Sequence, residues 1–513
     1  MVRNTKNLTL LTGLFAIGTS GAFSQSDQDP NIIYIYADDL GYGELGAYGQ
    51  EKIETPNIDK LAENGIRFTQ HYSGAPVCAP ARSVLLTGLH SGHTPIRGND
   101  EWDERGDVWN YRAQINDSTL EGQKPLPGET MTIARKLSQG GYRTGAIGKW
   151  GLGAPHTKGI PTKQGFDYFF GYNCQRQAHT YYPVHLYENE NRVYLENDTV
   201  PPHTELPENA DPYDKASYEK FTLNDYAPDL MFEHIKGFIQ DSDKEPFFLY
   251  WATPIPHVPI QAPQRWVDHY VDKFGDEEPY TGKDGYFPHR YPRAGYAAMI
   301  SYLDERVGQL IQHLKDLGLY ENTLIIFSSD NGPTFTGGAD TQWFNSGRPF
   351  QSERGRGKGF LHEGGIRVPM IAAWPGEIEA GTVSDHVSVQ YDVFPTLCEV
   401  AGVKIPENTD GISFLPELTG KNQPKHDFLY WEFPGYGGQL AVRFDDYKIL
   451  AKDLLNRDEL NFEVYNLNQD PDEENNIADK HPELIQKAKK IIEKEHRRPE
   501  NEKWQFGEIL QKL

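Results

Sequence analysis

Two pairs of side chains, Asp38-Asp39 and Asp330-Asn331, each stand directly after a short apolar run. Adjacent carboxylates repel each other and lose hydration on burial unless a cation pairs with them. These pairs offer only oxygen ligands, which suit Ca²⁺ and Mg²⁺, and the amide oxygen together with bidentate carboxylates favours Ca²⁺. Either pair alone is more typical of a turn. Both pairs together, after two strongly apolar runs, predict a calcium site.

A second chemical feature is the run Cys78-Ala79-Pro80-Ala81-Arg82. Because Pro80 suits the first turn of a helix, Cys78 is predicted at a helix N-terminus, where free N–H groups and the helix dipole favour an anion. Arg82 lies one turn further on and can reach back toward the same end. The alternative interpretation is an ordinary buried cysteine. The chain has only three cysteines, and this odd, sparse number argues against a disulfide framework.

The elements that must position these residues are short buried strands alternating with helices. Runs that predict strands lie at 31–37, 142–147, 246–252 and 323–328, and runs that predict helices lie at 56–64 and 294–317. The alternation predicts an α/β fold with a large, mostly parallel sheet sandwiched by helices. Ligands bind beyond the carboxyl ends of such strands. Lys149 and His257 follow two of these runs, so we expect them at the same edge of the sheet as the acids.

The chain divides into three predicted parts. Residues 1–24 combine a positive start, an apolar stretch and small residues before a cleavage point, which is typical of a signal peptide and predicts a periplasmic or secreted protein. Residues 25–423 form the predicted large domain. Residues 424–513 have short strand-like runs and a final helix at 482–495, which predict a small α+β C-terminal domain with an antiparallel sheet.

The remaining composition argues against two classes of partner. The formal net charge is −24, and no Lys/Arg-rich run offsets it, so nucleic-acid binding is not expected. Beyond the signal peptide we see no stretch long and apolar enough to span a bilayer, so membrane insertion is not expected either. An anionic substrate remains compatible with this charge if cations are concentrated locally.

The run Cys-x-Pro-x-Arg at 78–82, followed by Ser83 and a Leu-Thr-Gly run, resembles the motif of the type I formylglycine-dependent sulfatases, part of the alkaline phosphatase superfamily. Further motifs follow in the family's order over nearly the whole mature chain. They are Asp38-Asp39, Gly148-Lys149-Trp150, Pro256-His257-Val258-Pro259, Asp330-Asn331, Gly357-Lys358-Gly359 and Tyr465-Asn466-Leu467. Each motif alone is weak, whereas the ordered set is specific.

The resemblance implies an alkaline phosphatase-like fold and a calcium-dependent sulfuric ester hydrolase. It implies that a formylglycine-generating maturation enzyme oxidises Cys78 to 3-oxoalanine (formylglycine). One hydroxyl of the aldehyde hydrate then attacks sulfur, and the second hydroxyl releases sulfate as the aldehyde re-forms. The implied ligands of the single Ca²⁺ are Asp38, Asp39, Cys78, Asp330 and Asn331.

The same resemblance implies the catalytic roles. Asp330 takes the proton of the attacking hydroxyl, and His257 or Lys358 protonates the leaving alcohol. Charge on the sulfuryl oxygens is stabilised by Arg82, Lys149 and Lys358. Taken alone, each lysine would be more typical of the surface, and His257 could belong to an ordinary Pro-rich turn.

One position departs from the family pattern. Many members carry a histidine two residues after the lysine of Gly-Lys-Trp, where this chain has Gly151. The sulfate pocket must lose that donor or recruit another one. Candidates are His156, His179 and His203, of which we favour His179 as a substrate-binding residue, with a structural role as an equal alternative.

A sulfated polysaccharide or oligosaccharide is the predicted substrate, because export, aromatic content and a long polar segment at 180–229 suit a sugar site. Arg97 and Asn99 are further candidates for sugar binding. Resemblance to bacterial carbohydrate sulfatases suggests galactose, N-acetylgalactosamine or an algal polymer. Two alternatives stay open: a phosphonate or phosphate ester hydrolase of the same superfamily, and an inactive carbohydrate-binding relative.

Overall fold

The computed structural model describes residues 29–242, 245–457 and 459–512, together with Met1. The predicted signal peptide at 1–24 therefore lies, apart from Met1, outside the described residues. None of the helices in the described part of the chain has the length and apolar character that a membrane crossing needs.

The strands and helices alternate through the first four-fifths of the chain. In chain order the strands are β1 (Asn31–Ala37), β2 (Ile66–Phe68), β3 (His71–Tyr72), β4 (Arg143–Lys149), β5 (Tyr168–Tyr172), β6 (His185–Glu188), β7 (Asn191–Tyr194), β8 (Phe247–Ala252), β9 (Thr323–Ser329), β10 (Met370–Ala373), β11 (Thr382–Ser384), β12 (Ser388–Val389), β13 (Leu429–Phe433), β14 (Gln439–Phe444), β15 (Tyr447–Lys452) and β16 (Phe462–Asn466). The α-helices are α1 (Pro56–Glu63), α2 (Cys78–Thr87), α3 (Tyr111–Asn116), α4 (Ile133–Gln139), α5 (Ala227–Gln240), α6 (Gln264–Phe274), α7 (Pro292–Asp316), α8 (Thr341–Phe344), α9 (Glu363–Ile366), α10 (Val393–Val400), α11 (Leu415–Leu418) and α12 (Pro482–Glu495).

The main sheet has ten strands in the order β11-β2-β10-β9-β1-β8-β4-β5-β6-β7. Its centre, from β9 through β1, β8 and β4 to β5, is parallel. Antiparallel strands flank that centre: β10 on one side, and β6 and β7 on the other. The four strands predicted from apolar runs all lie in the parallel centre, where burial on both faces requires such runs.

Helices cover both faces of the sheet. Alternate residues of β1 point to opposite layers, so that Ile33 and Ile35 pack on one side and Ile32 and Tyr34 on the other. Helices α1, α5, α6 and α7 pack on the first face, and α2, α4 and α10 pack on the second. The α/β fold with a helix-covered, mostly parallel sheet is confirmed.

The C-terminal segment forms a second, antiparallel sheet in the order β13-β14-β15-β16. Helix α12, predicted at 482–495, packs on one face of it through Ala488 and Ile492. On the other face Trp431 contacts residues of the large domain. Lys448, fully buried there, pairs with Glu363 at 3.1 Å and Glu473 at 3.0 Å. The small antiparallel sheet is confirmed, while a boundary at residue 424 stays a prediction.

Candidate active site

Asp38 and Asp330 meet because their strands are neighbours in register. Strands β1 and β9 are parallel, and Ala37 pairs with Ser329, so each strand is followed by a carboxylate at the same edge of the sheet. The backbone N–H of Asp39 donates to Asp330 Oδ1 at 3.0 Å. Asp39 has a φ of 67°, a left-handed conformation that Asp tolerates better than most residues. Asp38, Asp39, Asp330 and Asn331, hereafter the carboxylate cluster, are all fully buried.

The carboxylate cluster fits a hard cation on two observations. Asn331 donates through Nδ2 to Asp39 Oδ1 at 2.7 Å, but its buried Oδ1 has no hydrogen-bond partner. Burial, and next the charge of Asp38, raise the pKa of the Asp330 carboxyl to about 7. Burial also raises the pKa of Asp39, although Lys358 opposes it. An orphaned amide oxygen beside three buried carboxyl groups, two of which have raised pKa values, offers the oxygen ligands that Ca²⁺ prefers.

Cys78 is the first residue of α2 and lies at the same edge. Its Sγ is 3.2 Å from Asp38 Oδ1 and 3.5 Å from Lys149 Nζ. Burial, followed by the Asp38 charge, raises the pKa of the thiol far above its ordinary value. Since the thiolate is the nucleophilic form of cysteine, an unmodified Cys78 is poorly suited to attack a substrate.

Three cations surround the carboxylates. Arg82, one helical turn after Cys78, places Nη2 3.0 Å from Asp330 Oδ2 and 3.3 Å from Asp38 Oδ2. Lys149, at the end of β4, places Nζ 2.6 Å from Asp38 Oδ2. Lys358 Nζ lies 2.7 Å from Asp39 Oδ2. The positive charge that an anionic substrate needs is therefore concentrated in one buried site of an acidic chain.

His257 enters the site from the turn after β8. The N–H of Asp38 donates to the Ile255 carbonyl at 3.1 Å, which places this turn beside β1. His257 donates through Nδ1 to the Val258 carbonyl at 2.5 Å, so its free Nε2 points inward, 3.8 Å from Asp39 Oδ2. Burial, and next the charge of Lys358, lower the pKa of His257 well below its usual value.

His179 and one residue that we did not predict, Tyr286, line the outer part of the site. The His179 ring stacks on His257 with 5.4 Å between ring centroids. Tyr286 lies 5.2 Å from His179 and 5.8 Å from His257 by the same measure. Of the other histidines considered, His203 accepts a bond from the Tyr286 N–H at 2.9 Å, and His156 pairs with Ser118 at 2.9 Å.

The space beside Gly151 is filled by Gln175, which the sequence did not single out. A Cβ atom at Gly151 would lie 2.7 Å from Gln175 Cγ. Gln175 donates through Nε2 to Asn99 Oδ1 at 2.8 Å, and Asn99 Oδ1 also accepts from the Ala79 N–H at 3.0 Å. Gln175 Oε1 is buried without a partner. Gln175 and Asn99 thus stand next to Cys78, at the position where the family pattern has a histidine.

Arg97 lies in a different environment from the other candidates. Its guanidinium contacts Glu432 of the C-terminal sheet and donates to the Arg497 carbonyl at 2.7 Å and the Gly92 carbonyl at 2.6 Å. Through these bonds the Arg97 side chain connects the large domain to the C-terminal segment. A role in sugar binding stays a prediction that no contact in the described part of the chain supports.

Comparison with known proteins shows the family of the chain. Residues 30–403, most of the chain, match the protein-family model described as Sulfatase. The chain belongs to the sulfatase family. Residues 355–498 of this sulfatase also match the model described as N-sulphoglucosamine sulphohydrolase, C-terminal. The predicted enzyme class, a sulfuric ester hydrolase, is confirmed.

The sulfatase is similar to named relatives along most of its length. Arylsulfatase A of Homo sapiens is 34% identical over 444 residues, which cover 82% of this chain and 74% of the relative. The N-acetylgalactosamine-6-O-sulfatase of Bacteroides thetaiotaomicron is 29% identical in an alignment that covers 91% of this chain and 93% of the relative. The crystal structure of Ps i-CgsB in complex with k-i-k-neocarrahexaose has a TM-score of 0.71 and 27% identity, and the match covers 92% of this chain and 94% of that chain.

Proposed function

We propose that this sulfatase removes sulfate from sulfated carbohydrates, with a nucleophile made from Cys78 and one Ca²⁺. The observation that carries the proposal is the position of Cys78. It lies between the Asp38 carboxylate and the Lys149 ammonium, at the start of a buried helix, with a thiol whose raised pKa disfavours ordinary cysteine chemistry. Carbohydrate is favoured because relatives are named for N-acetylgalactosamine sulfate and a structural neighbour holds a carrahexaose.

The carboxylate cluster, together with the group at position 78, would hold the ion. A bound Ca²⁺ supplies positive charge that polarises coordinated oxygens. Asn331 Oδ1 is the ligand with the clearest support, because it is buried and otherwise lacks a partner. The hydrogen bond from Asn331 Nδ2 to Asp39 orients this amide oxygen.

Position 78 becomes reactive when the maturation enzyme converts Cys78 to 3-oxoalanine, whose hydrate supplies a hydroxyl nucleophile. Asp330 would accept the proton of that hydroxyl. Arg82 keeps Asp330 in place through the contact at 3.0 Å. The carbonyl of Lys149 accepts from Arg82 Nη1 at 2.6 Å, which orients the guanidinium.

Lys149, Arg82 and Lys358 would stabilise the sulfuryl oxygens. All three are held by carboxylates at hydrogen-bond distance, so their positions are fixed before substrate enters. Protonation of the leaving alcohol falls to Lys358, which carries a proton, or to His257 after its Nε2 has taken one up, because Nδ1 holds the ring hydrogen. Lys358 Nζ and His257 Nε2 both lie close to Asp39 Oδ2. Gln175 and Asn99, beside Gly151, would contact the sulfate or the sugar that carries it.

We also propose the cellular setting of this reaction. Export by the sequence at 1–24 would place residues 25–423, as the catalytic domain, and 424–513 outside the cytoplasm, where sulfated polymers are met. A formylglycine-generating enzyme is then the necessary partner.

The test combines mass spectrometry of the Cys78 peptide with sulfate release from defined sulfated oligosaccharides. In matured protein the peptide should be about 18 Da lighter, because H₂S is lost and O is gained. Cys78→Ala should lower sulfate release by about 10⁴-fold or more. The matched control Cys398→Ala, at another buried cysteine, should remain active if it folds.

Full activity of Cys78→Ala would overturn the proposed nucleophile. Faster turnover of an aryl phosphonate than of an aryl sulfate would favour the phosphonate hydrolase instead. Sugar binding without sulfate release from matured protein would favour the inactive relative.

A further inference from the structure

An open cleft of about 890 Å³ lies beside the proposed active site. Four segments of the chain form its walls, including the β13–β14 turn of the C-terminal sheet. Six of the residues that line it are Tyr280, Phe335, Gly338, Arg354, Phe360 and Tyr436. No step of the proposed chemistry uses any of them.

The cleft is continuous with one particular side of the active site. A Cβ atom at Gly337, in the cleft wall, would lie 2.9 Å from Val258 Cβ and 3.0 Å from the ring of Tyr286. A Cβ atom at Gly359, the residue after Lys358, would lie 2.8 Å from Tyr436. The cleft therefore begins beside His257 and Lys358. Because these are the proposed proton donors to the leaving oxygen, the cleft extends from the leaving-group side.

Aromatic rings line the cleft in a way that suits sugar. Tyr436 is 58% exposed although it is a large aromatic side chain, and Phe360 lies 5.3 Å from it between ring centroids. Tyr436 has a left-handed φ of 50°, and Gly437 and Gly438 after it have φ values of 86° and 81°. A non-glycine residue in this conformation costs free energy, and such costs concentrate at functional sites. An aromatic face held in this way can stack on the C–H face of a sugar ring.

Arg354 is a cation of the cleft, whose lining also includes the exposed acid Asp284. Its side chain is exposed and makes no ion pair or hydrogen bond with other residues of the described chain. Asp340, an acid of the same cleft, is instead occupied by Arg293 at 2.7 Å and 2.9 Å. In a chain of net charge −24, a free guanidinium is a local site for an anion, and its planar shape suits sulfate or carboxylate.

We propose that the cleft binds the next sugar of an anionic oligosaccharide, on the leaving-group side of the scissile sulfate ester. That sugar stacks on Tyr436 and Phe360, and its sulfate or carboxylate group pairs with Arg354. This inference rests on the proposed function. It names the substrate class as a polyanionic oligosaccharide rather than a free sulfated monosaccharide.

The experiment measures kcat/KM for sulfate release from four substrates with the same sulfated sugar. One is the monosaccharide, and three are disaccharides whose second sugar is neutral, sulfated or a uronic acid. The matured, calcium-loaded full chain is compared with Tyr436→Ala, Tyr436→Phe, Arg354→Ala and the control Tyr194→Ala, which removes a tyrosine 66% exposed elsewhere on the surface.

Wild type should prefer the anionic disaccharides over the monosaccharide. Tyr436→Ala should lower the disaccharide-to-monosaccharide ratio of kcat/KM about tenfold, and Tyr436→Phe should keep the ratio because stacking survives. Arg354→Ala should lower kcat/KM about three- to tenfold for the anionic disaccharides relative to the neutral one. Comparison of the disaccharide with a sulfated second sugar and the one with a uronic acid shows which anion Arg354 prefers. Tyr194→Ala should match wild type.

An equal loss on monosaccharide and disaccharides, or no preference of wild type for disaccharides, would overturn the inference and leave the proposed function intact. Absence of sulfate release from every substrate with matured wild type would instead overturn the proposed function.

Discussion

Two groups of polar side chains stand close to the two ends of helix α2, and they differ in the ligand atoms that they offer to a metal ion. At its start lies the carboxylate cluster. Beyond its end lie His90, His93, Asp410 and Glu495, hereafter the histidine cluster. His93 Nδ1 lies 2.9 Å from Asp410 Oδ2, and His90 Nε2 lies 3.2 Å from Glu495 Oε2. By residue type alone, the histidine cluster is the more typical transition-metal site.

The hydrogen bonds argue against that expectation for His90. His90 Nδ1 accepts from the Gly92 N–H at 3.1 Å, so neutral His90 carries its hydrogen on Nε2 and has no lone pair there for a metal. His93 Nε2 and Asn331 Oδ1 are both buried without a hydrogen-bond partner. The free oxygen of Asn331 lies among three carboxyl groups, whereas His93 and His90 are each held by an acid, Asp410 and Glu495. The comparison teaches that one unsatisfied atom does not by itself define a metal site. From the bonds to Asp410 and Glu495 we infer that the histidine cluster links the large domain to α12.

Metal removal is the strongest way to break this comparison. Chelation of Ca²⁺ should lower sulfate release by about 100-fold or more, and added Ca²⁺ should restore it, because the ion supplies charge at the reacting oxygens. Metal analysis of purified, active protein should find calcium and no zinc. Zinc at stoichiometric level that leaves with His93→Asn would show that the histidine cluster is a metal site after all.

A ligand substitution should sharpen the comparison. Asn331→Leu removes the orphaned oxygen and should weaken calcium affinity about 10- to 100-fold, measured by calorimetric titration. His93→Asn is the matched control and should leave calcium affinity as in wild type. Equal affinities for Asn331→Leu and wild type would exclude Asn331 as a ligand.

Substitutions in the histidine cluster should lower the free energy of unfolding and leave catalysis unchanged. His93→Ala removes the bond to Asp410 and should lower the free energy of unfolding by about 1–3 kcal/mol, measured by urea unfolding. Its kcat/KM should equal that of wild type. His481→Ala, at a partly exposed histidine, serves as the control and should cost less. A loss of activity without a loss of stability would contradict the assignment.

The smallest expected effect is a change of stability with pH through Glu495. A hydrogen bond from His90 lowers the pKa of Glu495 from 4.5 to about 2, against the effect of burial. Because the folded pKa lies below the unfolded value, ionised Glu495 stabilises the fold above pH 4.5, and this contribution is lost as the pH falls toward 2. The Tm deficit of Glu495→Gln relative to wild type should therefore shrink between pH 6 and pH 3. A constant deficit would mean that Glu495 acts through packing alone.

The sequence predicted best what local patterns determine. Apolar runs located β1, β4, β8 and β9, and the polar residues after them indicated which edge of the sheet carries the site. The same patterns missed β5, β6, β7 and β16. Strands β6, β7 and β16 are short and carry polar residues, so they lack a continuous apolar run. Strand β5 is buried but only five residues long.

Long-range contacts account for the remaining differences. Gln175 lies in the site because Gly151 leaves space for it, and no neighbouring residue in the chain signals that contact. Arg97 was a candidate for sugar binding, yet it is buried against Glu432, 335 residues away. Such pairings depend on the assembled fold rather than on local periodicity or composition.

The complete burial of Cys78 has a consequence for biosynthesis. Its side chain is 0% exposed, enclosed by α2, the strand ends and the Gln175–Asn99 pair. A second enzyme is far larger than the sulfate ester that enters this site and cannot reach the thiol of the folded protein, so we expect the proposed maturation to take place on the nascent or unfolded chain. The order of oxidation and folding then determines whether a molecule is active. A chain that folds before Cys78 is oxidised stays inactive, however well it folds.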